Sequence, residues 1–504
     1  MDTSSLWQGT AAKTACLPTL QADLKVDVAI VGGGITGLSA AMLLVEAGKR
    51  VAILEAYKVG DGSTGNSTGN LYATLDLGVH TLEQAHGADI ARQVLASRAA
   101  AIDLIESTVG RLGMDCGFQR VPWHLLAADA AHVKDIEEEA AAVQRAGLDA
   151  ALVDSIALPV PCARALRVAS QAQFQPFAYV RQLAQAIGSE DCLIFEHTRV
   201  LAVDDATGLV RTEHGTVHAE HVILATHSPI GIHLVQAKLE VVREYGVALQ
   251  CDDAVPAPGI YWSIGEERHS LRGFTQHGQS YLVAVGSAHS TGDEDIGRDR
   301  YQNLEQYARE HFQAGAIEYR WSAQRYRAKD KLPYIGLNVD ATRTYIATGF
   351  SGDGLTYGTL AGMLLADAIL GRDNPWAALY QVERLATEER PEGFEQKKTG
   401  PTESDSGPPL DAAQQAGLEN LAPCQARKIE VAGKPIAVYR TADGALQAVA
   451  GKCTHMGCDI NWNDAERSWD CNCHGSRFAP DGRVLEGPAL EPLQAVALDR
   501  DARN

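Results

Sequence analysis

Residues 26–55 read VDVAIVGGGITGLSAAMLLVEAGKRVAILE. The β-branched run Val26–Val31 is a strand, a glycine turn follows, and apolar residues from about Thr36 to Ala47 form a helix. Arg50–Leu54 is a second strand, so the stretch opens a β-α-β unit. Gly32-Gly33-Gly34-Ile35-Thr36-Gly37 fits G-x-G-x-x-G between that strand and helix. Gly32 permits the tight turn, Gly34 lets the backbone approach a pyrophosphate, and Gly37 lets the helix pack close to the sheet. The helix start at Ile35 and Thr36 favours anionic phosphates. Glu55, followed by Ala56, ends the second strand where a carboxylate accepts hydrogen bonds from a ribose. An acid there disfavours a 2′-phosphate and hence NADP. These residues predict a dinucleotide site without separating NAD from FAD.

The chain around this unit has 504 residues, 45% hydrophobic and 21% charged. That length exceeds one compact core and predicts two or three domains. A net charge of −20 argues against nucleic acids and anionic membranes, because phosphates would be repelled. Met1–Leu20 lacks the apolar core of a targeting segment. Leu38–Leu54 is interrupted by Glu46, Lys49 and Arg50 and cannot span a bilayer. A cytoplasmic location is the expectation.

One composition shift divides the chain. Residues 388–414, EERPEGFEQKKTGPTESDSGPPLDAAQ, are nearly free of apolar side chains and cannot repay their ordering entropy. They read as a linker between an α/β-looking part and a C-terminal part of short strands and turns.

Of ten cysteines, Cys453, Cys458, Cys471 and Cys473 crowd together, while the others are scattered singly, as in reduced intracellular proteins. Cys453-Thr454-His455 is followed, fifteen residues on, by Cys471-Asn472-Cys473-His474. Two Cys and two His in paired loops are a zinc donor set, although Cys-x-His is a poor start for a zinc finger. The same pattern matches two irons held by two thiolates and two imidazoles.

Two resemblances extend this reading. Residues 6 to about 385 resemble the D-amino-acid-oxidase-like FAD oxidoreductases, the superfamily of glycine and sarcosine oxidases and γ-glutamylputrescine oxidoreductase. The matching pieces are Trp7, the fingerprint with Glu55, and the small-residue loop Gly62-Ser63-Thr64-Gly65-Asn66-Ser67-Thr68-Gly69-Asn70. Val222–His227, with Ala225 and Thr226, and Gly349-Phe350-Ser351-Gly352-Asp353-Gly354-Leu355-Thr356 complete them. The resemblance implies that these loops line FAD, and that the last begins a helix facing the flavin carbonyl O2. Several members carry a Lys near the position of Thr356; the neutral side chain here puts oxygen reactivity in doubt. No His or Cys stands where a covalent flavin link is defensible, so non-covalent FAD is expected.

The C-terminal motif resembles the Rieske [2Fe–2S] domain, helped by Gly475–Phe478 and by Gly487-Pro488-Ala489, similar to its proline loop. This implies Cys453 and Cys471 on one iron, His455 and His474 on the other, and a Cys458–Cys473 disulfide. Ser476 matches a donor to a cluster sulfide. Phe478 stands where high-potential members carry Tyr, so a lower potential is expected.

The implied architecture is an α/β (α+β) FAD-binding Rossmann-like domain with an inserted antiparallel-sheet substrate domain, plus a small all-β Rieske domain. The oxidoreductase spans 1–387, with FAD-binding parts at about 22–85, 155–230 and 325–385. The substrate domain takes about 86–154 and 231–324, the linker 388–414 and the Rieske domain 415–504. Arg325, Tyr245 and His289 are the candidate catalytic residues. Arg243, Arg272 and Arg327 are further arginines that could clamp a carboxylate, although most arginines are solvated or paired. His214, His218 and His221 are expected to face solvent from a strand.

The implied reaction is oxidation of a C–N bond of a small amine or amino acid, with electrons leaving through the cluster to a ferredoxin-like or quinone-linked acceptor. The rivals are an O₂-using oxidase with a redox-sensing cluster, and an electron-transfer component fed through the cluster.

Overall fold

A computed structural model describes residues 3–12, 15–251, 257–265, 267–294, 296–297, 299–312, 314–385 and 410–498. Most of the expected linker lies outside the described residues, and its last residues enter a helix, Ala412–Glu419, capped by Asp411. The chain divides into two units. The first comprises Met1–His227, Glu244–Ala288 and Tyr301–Glu388; the second comprises Ser228–Arg243, His289–Arg300 and Glu389–Asn504. Two strips thus group with the C-terminal part, expected in the substrate domain except for residues 228–230, which were expected in an FAD-binding part.

In the first unit, the fingerprint strand Leu24–Val31 is central to an eight-stranded sheet. The strand order is Tyr334–Leu337, Thr344–Thr348, Thr216–Leu224, Leu24–Val31, Val51–Leu54 and Cys192–Phe195, with Leu209–Thr212 on Thr216–Leu224 and Val200–Asp204 on Leu209–Thr212. Four joints are parallel, and Val31 is in register with both Leu54 and Leu224. Strands buried on both faces explain the unbroken apolar runs VAIV and VAIL. Helices Ile35–Glu46 and Gly354–Leu370 pack against each other; a side chain added at Gly362 would lie 2.6 Å from the Ser39 Cβ.

A return loop ties this sheet together. The Asp205 carboxylate accepts from the backbone N–H of Thr342, Arg343 and Thr344 at 2.8, 3.1 and 2.9 Å. Partial burial pushes the carboxyl up, but these donors outweigh it and hold it at about 2. Because the folded value is depressed, the contribution is complete above about pH 4 and is lost as pH falls towards 2. Asp205→Ala should lower stability by about 1–3 kcal/mol at neutral pH. Thermal melts at successively lower pH should show the difference from the parent shrinking; a constant difference contradicts this role.

The second sheet of the unit has nine strands, ordered Ile317–Ala328, Leu239–Gln250, Gln279–Ser290, Ser270–Gln276, Ile260–Ile264, Gln119–Ala127, Arg164–Gln173 and Asn70–Leu71, with Ala150–Val153 on Arg164–Gln173. Two expectations need correction. The sheet is not wholly antiparallel, since Ile260–Ile264 runs parallel to Gln119–Ala127. These strands are far apart in sequence, so no hairpin imposes opposite directions. Arg164–Gln173 was expected in an FAD-binding segment, yet it pairs along Gln119–Ala127 in this second sheet.

The second unit holds a three-stranded sheet, Ala426–Val431, Lys434–Arg440 and Leu446–Ala450. A four-stranded sheet follows: Ile460–Asn463, Ser468–Cys471, Arg477–Phe478 and Val484–Glu486. Its core gathers Trp469, Phe478, Ile460, Val449 and Val484. Among the described residues no helix is long and apolar enough to cross a membrane.

Candidate functional sites: a dinucleotide cradle and a cysteine–histidine centre

Four of the predicted cofactor segments of the first unit leave the carboxyl end of a parallel strand. Gly32 follows Val31, Glu55 follows Leu54, Ala225 and Thr226 follow Leu224, and Gly349 follows Thr348. Ligands of open α/β sheets bind at that edge. Gly32 has φ +110°, and Gly37 admits no side chain because a Cβ would lie 2.1 Å from the Gly32 carbonyl oxygen. The helix at Ile35 starts without a side-chain cap from Gly34. Thr64 Oγ1 accepts from the Ile35 N–H at 3.1 Å, which brings the small-residue loop to the helix start. Glu55 accepts from Gly33 N at 2.8 Å and Tyr57 N at 2.9 Å; burial pushes its carboxyl up and these donors oppose it. A carboxylate has lone pairs left for ribose hydroxyls.

The small-residue loop is held from behind. The Trp7 indole donates to the Ser67 carbonyl at 2.6 Å, and Arg272 donates to the Gly69 carbonyl at 2.7 Å. Ser63 Oγ lies 2.9 Å from His227 Nδ1, and Asn66 donates to the Gly62 carbonyl at 3.0 Å. The buried Asn70 Oδ1 has no partner among the described residues. A helix start without a cap from its own N-cap residue, a glycine cradle and an unsatisfied acceptor fit a dinucleotide.

Around the start of the helix Gly354–Leu370 lies a set of charges, of which Asp76, Asp353 and Arg98 are buried, Arg325 and Glu244 half-buried and Arg268 exposed. Arg325 Nη1 is 3.1 Å from Asp76 Oδ2 and 3.5 Å from Glu244 Oε2. Arg268 reaches Asp76 at 3.6 Å, and Arg98 Nη1 lies 3.3 Å from Asp353. Burial opposes ionisation of Asp76, but Arg325, Arg268 and Arg327 hold its carboxyl below the usual range. Burial pushes Glu244 up. A side chain at Gly352 would meet Asp76 at 3.0 Å and Arg325 at 3.3 Å, so Arg325 is beside the predicted flavin loop. Thr356 and Leu355 are buried in the first helical turn.

The other candidates fall elsewhere. Tyr245 is fully buried, its ring edge-on to Tyr301 at 5.0 Å. His289 belongs to the second unit, with Nδ1 2.8 Å from the Ser290 carbonyl. Arg272 is spent on the backbone carbonyls of Thr68, Gly69 and Phe174. Arg243 pairs with Glu466 and Glu486, each at 3.1 Å. His214 and His218 are exposed, and the His221 ring packs edge-on to Tyr345 at 5.8 Å. Asp76, Arg98, Glu244 and Arg268 were not anticipated. Only Arg98 had a signal, a cation between Leu95 and Ile102 on the buried face of the helix Ala88–Leu112.

In the second unit two turns carry the cysteine–histidine pattern. Gly457 N donates to the Cys453 carbonyl at 2.9 Å, and Gly475 N to the Cys471 carbonyl at 3.2 Å. Cys458 and Cys473 form a disulfide joining the turns. The sulfurs of Cys458, Cys471 and Cys473 lie within 4.8 Å of one another, but the disulfide leaves Cys471 as the one thiol among those three. Its hydrogen-bond partner is Cys453, held at about 7 chiefly by that bond. The His455 and His474 rings meet at 5.0 Å between centroids. Burial, then the His474 charge, keep His455 down at about 4, so it is neutral and able to ligate. Ser476 hydrogen-bonds Cys453 and accepts from Ala489 N at 3.0 Å. Two buried thiols and two imidazoles under a proline loop fit a mixed-ligand [2Fe–2S] centre.

The two additional strips of this unit pack onto the turns. Asn461 donates to the Gly292 carbonyl at 2.7 Å, and Asp464 N to that of Ile296 at 3.0 Å. Gly292, at φ +80°, lies so close that a Cβ would be 2.4 Å from Asn472 N and 2.7 Å from the Cys471 carbonyl carbon. Gly292→Ala must therefore displace the second turn. Most bound iron and acid-labile sulfide should be lost while FAD content holds; parental iron stoichiometry would contradict the contact.

Comparisons with known proteins identify both modules. The family described as FAD dependent oxidoreductase (DAO) matches residues 27–368, and the Rieske [2Fe-2S] domain matches residues 414–497. The chain is 30% identical to the "Putative Rieske 2Fe-2S iron-sulfur protein YhfW" of Bacillus subtilis (strain 168), over 97% of each chain. It is 26% identical to the gamma-glutamylputrescine oxidoreductase of Escherichia coli (strain K12), over 73% of this chain and 89% of the other. The crystal structure of glycine oxidase from Geobacillus kaustophilus superimposes with a TM-score of 0.60 at 22% identity, covering 72% of this chain and 99% of that one. The chain belongs to the DAO family of FAD dependent oxidoreductases, which bind FAD, and carries at its C-terminal end a Rieske domain, the kind that binds a [2Fe–2S] cluster.

Proposed function

We propose that this protein is a dehydrogenase that oxidises a C–N bond of a small amine or amino acid and passes the electrons, through its Rieske domain, to a one-electron acceptor. The observation that carries this reading is the presence of both modules in one chain. Bound FAD accepts a hydride, two electrons together, and a Rieske cluster passes electrons singly, so the pair converts one currency into the other. The carbon beside nitrogen gives up hydride, nitrogen gives up a proton, and water hydrolyses the imine to a carbonyl compound and ammonia, or an amine where the substrate nitrogen carries a second carbon. The relatives named for gamma-glutamylputrescine and glycine support that substrate class.

The residues divide the work. Gly32, Gly34 and Gly37 admit the pyrophosphate to the helix start, and Glu55 receives the ribose. FAD is held without a covalent link by the loops 62–70 and 349–356. Arg325, positioned by Asp76 and Glu244, places positive charge beside Gly352. Cys453, Cys471, His455 and His474 are the iron ligands. The acceptor is ferredoxin-like or quinone-linked, and the location is cytoplasmic.

The test is anaerobic rapid mixing with a panel of amines and amino acids. One of them should bleach the flavin, with cluster reduction following in the same reaction. A cluster that stays oxidised while the flavin bleaches favours an oxidase with a redox-sensing cluster and overturns the relay. A flavin bleached by no amine, only by a donor acting through the cluster, reverses the direction.

A further inference from the structure

The strip Ser228–Arg243 places a backbone carbonyl on one of the proposed cluster ligands. His455 Nε2 lies 3.1 Å from the Gly231 carbonyl oxygen. A carbonyl only accepts, so Nε2 carries the proton and Nδ1 keeps the lone pair that a metal needs. Gly231 N in turn donates to the Pro488 carbonyl at 3.1 Å, which fixes the peptide against the proline loop.

One side chain holds that carbonyl in place. Gln236 is buried, 2% exposed, and its amide nitrogen donates to the carbonyls of Gly231 and Pro229, each at 2.8 Å. Its amide oxygen accepts from His233 N at 3.0 Å. The whole amide is thus committed to folding 229–233 into one turn, and the Gly231 oxygen is shared between Gln236 and His455.

We propose that Gln236 is a positioning residue for the cluster, setting the electron donation of His455 through the Gly231 carbonyl; this rests on His455 being an iron ligand. A hydrogen bond given by the remote nitrogen makes an imidazole a stronger donor to its metal and stabilises the oxidised iron. Removing the amide frees the turn, lengthens that bond and makes the cluster easier to reduce.

The test is an EPR-monitored redox titration of the cluster- and FAD-loaded full chain. Gln236→Met keeps the volume and removes both donors. The expected shift favours the reduced cluster about tenfold, which is about 59 mV for one electron, with the line shape of a mixed-ligand cluster retained. A shift below twofold in a fully loaded variant overturns the proposal. Should the Met variant not retain a cluster, Gln236→Asn, which withdraws the amide by one methylene, is titrated under the same criterion.

Acylation of histidine by diethyl pyrocarbonate, read by peptide mass spectrometry, supplies a measurement on the unmodified protein. His455 should be protected there and become reactive in the variant, whereas rapid acylation of His455 in the parent defeats the contact. A parent protein with iron but no mixed-ligand spectrum defeats the ligand assignment itself, a distinguishable result.

Discussion

Replacing His474 by Cys is expected to abolish the mixed-ligand EPR spectrum while FAD remains bound at the parental level. The His474 ring meets His455 at 5.0 Å, and its turn is tied to the first by the Cys458–Cys473 disulfide. A thiolate at that place puts a third negative ligand on the pair of irons. Exchanging thiolates for imidazoles separates potentials of about −400 mV in plant-type clusters from about −150 to +300 mV in Rieske centres. A cluster that assembles in the variant should therefore be harder to reduce, by a hundred millivolts or more on that scale. Bleaching of the flavin by substrate should persist, and turnover with a one-electron acceptor should fall at least tenfold. An unchanged spectrum would remove His474 from the ligand set, and zinc in place of iron and labile sulfide would remove the cluster altogether.

The dinucleotide site was legible because its physics is local. A strand, a glycine turn and a helix start occur within about fifteen residues, and Glu55 follows one strand later, so spacing specifies position. The same holds for the two cysteine–histidine turns, each set by a few consecutive residues. What stayed hidden depends on partners far apart in the chain. Arg243 looks like any strand arginine until Glu466 and Glu486, 223 and 243 residues away, come to it. No feature of Ser228–Arg243 or His289–Arg300 announces that they pack with the C-terminal part. Gly292 and Gln236 carry no motif; one is defined by lack of space and the other by a turn it closes upon itself. Strand direction failed for a related reason, because Ile260–Ile264 and Gln119–Ala127 are joined by no turn whose chemistry could be read. Of the residues not anticipated, Arg98 alone carries a sequence signal: a cation on an apolar helix face calls for a buried partner, and Asp353 is one.

Arg98→Met should be the most destabilising substitution in the flavin-binding unit. Arg98 is fully buried. Besides the 3.3 Å contact with Asp353, it donates to the carbonyls of Ala73, Tyr72 and Thr74 at 3.1, 2.9 and 2.6 Å. Asp353 precedes the helix Gly354–Leu370 and accepts from Asp76 N at 3.3 Å. Burial already pushes its carboxyl up, and Arg98 is the main force pulling it back down. Without the guanidinium a buried carboxylate and three carbonyls lose their partner, a cost of about 3–5 kcal/mol for breaking such a pair from one side. The melting transition that releases flavin should drop by several degrees, and the Kd for FAD should rise at least tenfold, because the charge being stranded stands where the helix Gly354–Leu370 begins, in the segment proposed to line FAD. Asp353→Asn in the same chain should restore part of the loss, since no buried charge is then uncompensated. If the single variant melts and binds FAD as the parent does, the ion pair does not anchor that helix. If the double variant is no better than the single one, it is the three carbonyls of residues 72–74, and not Asp353, that need the arginine.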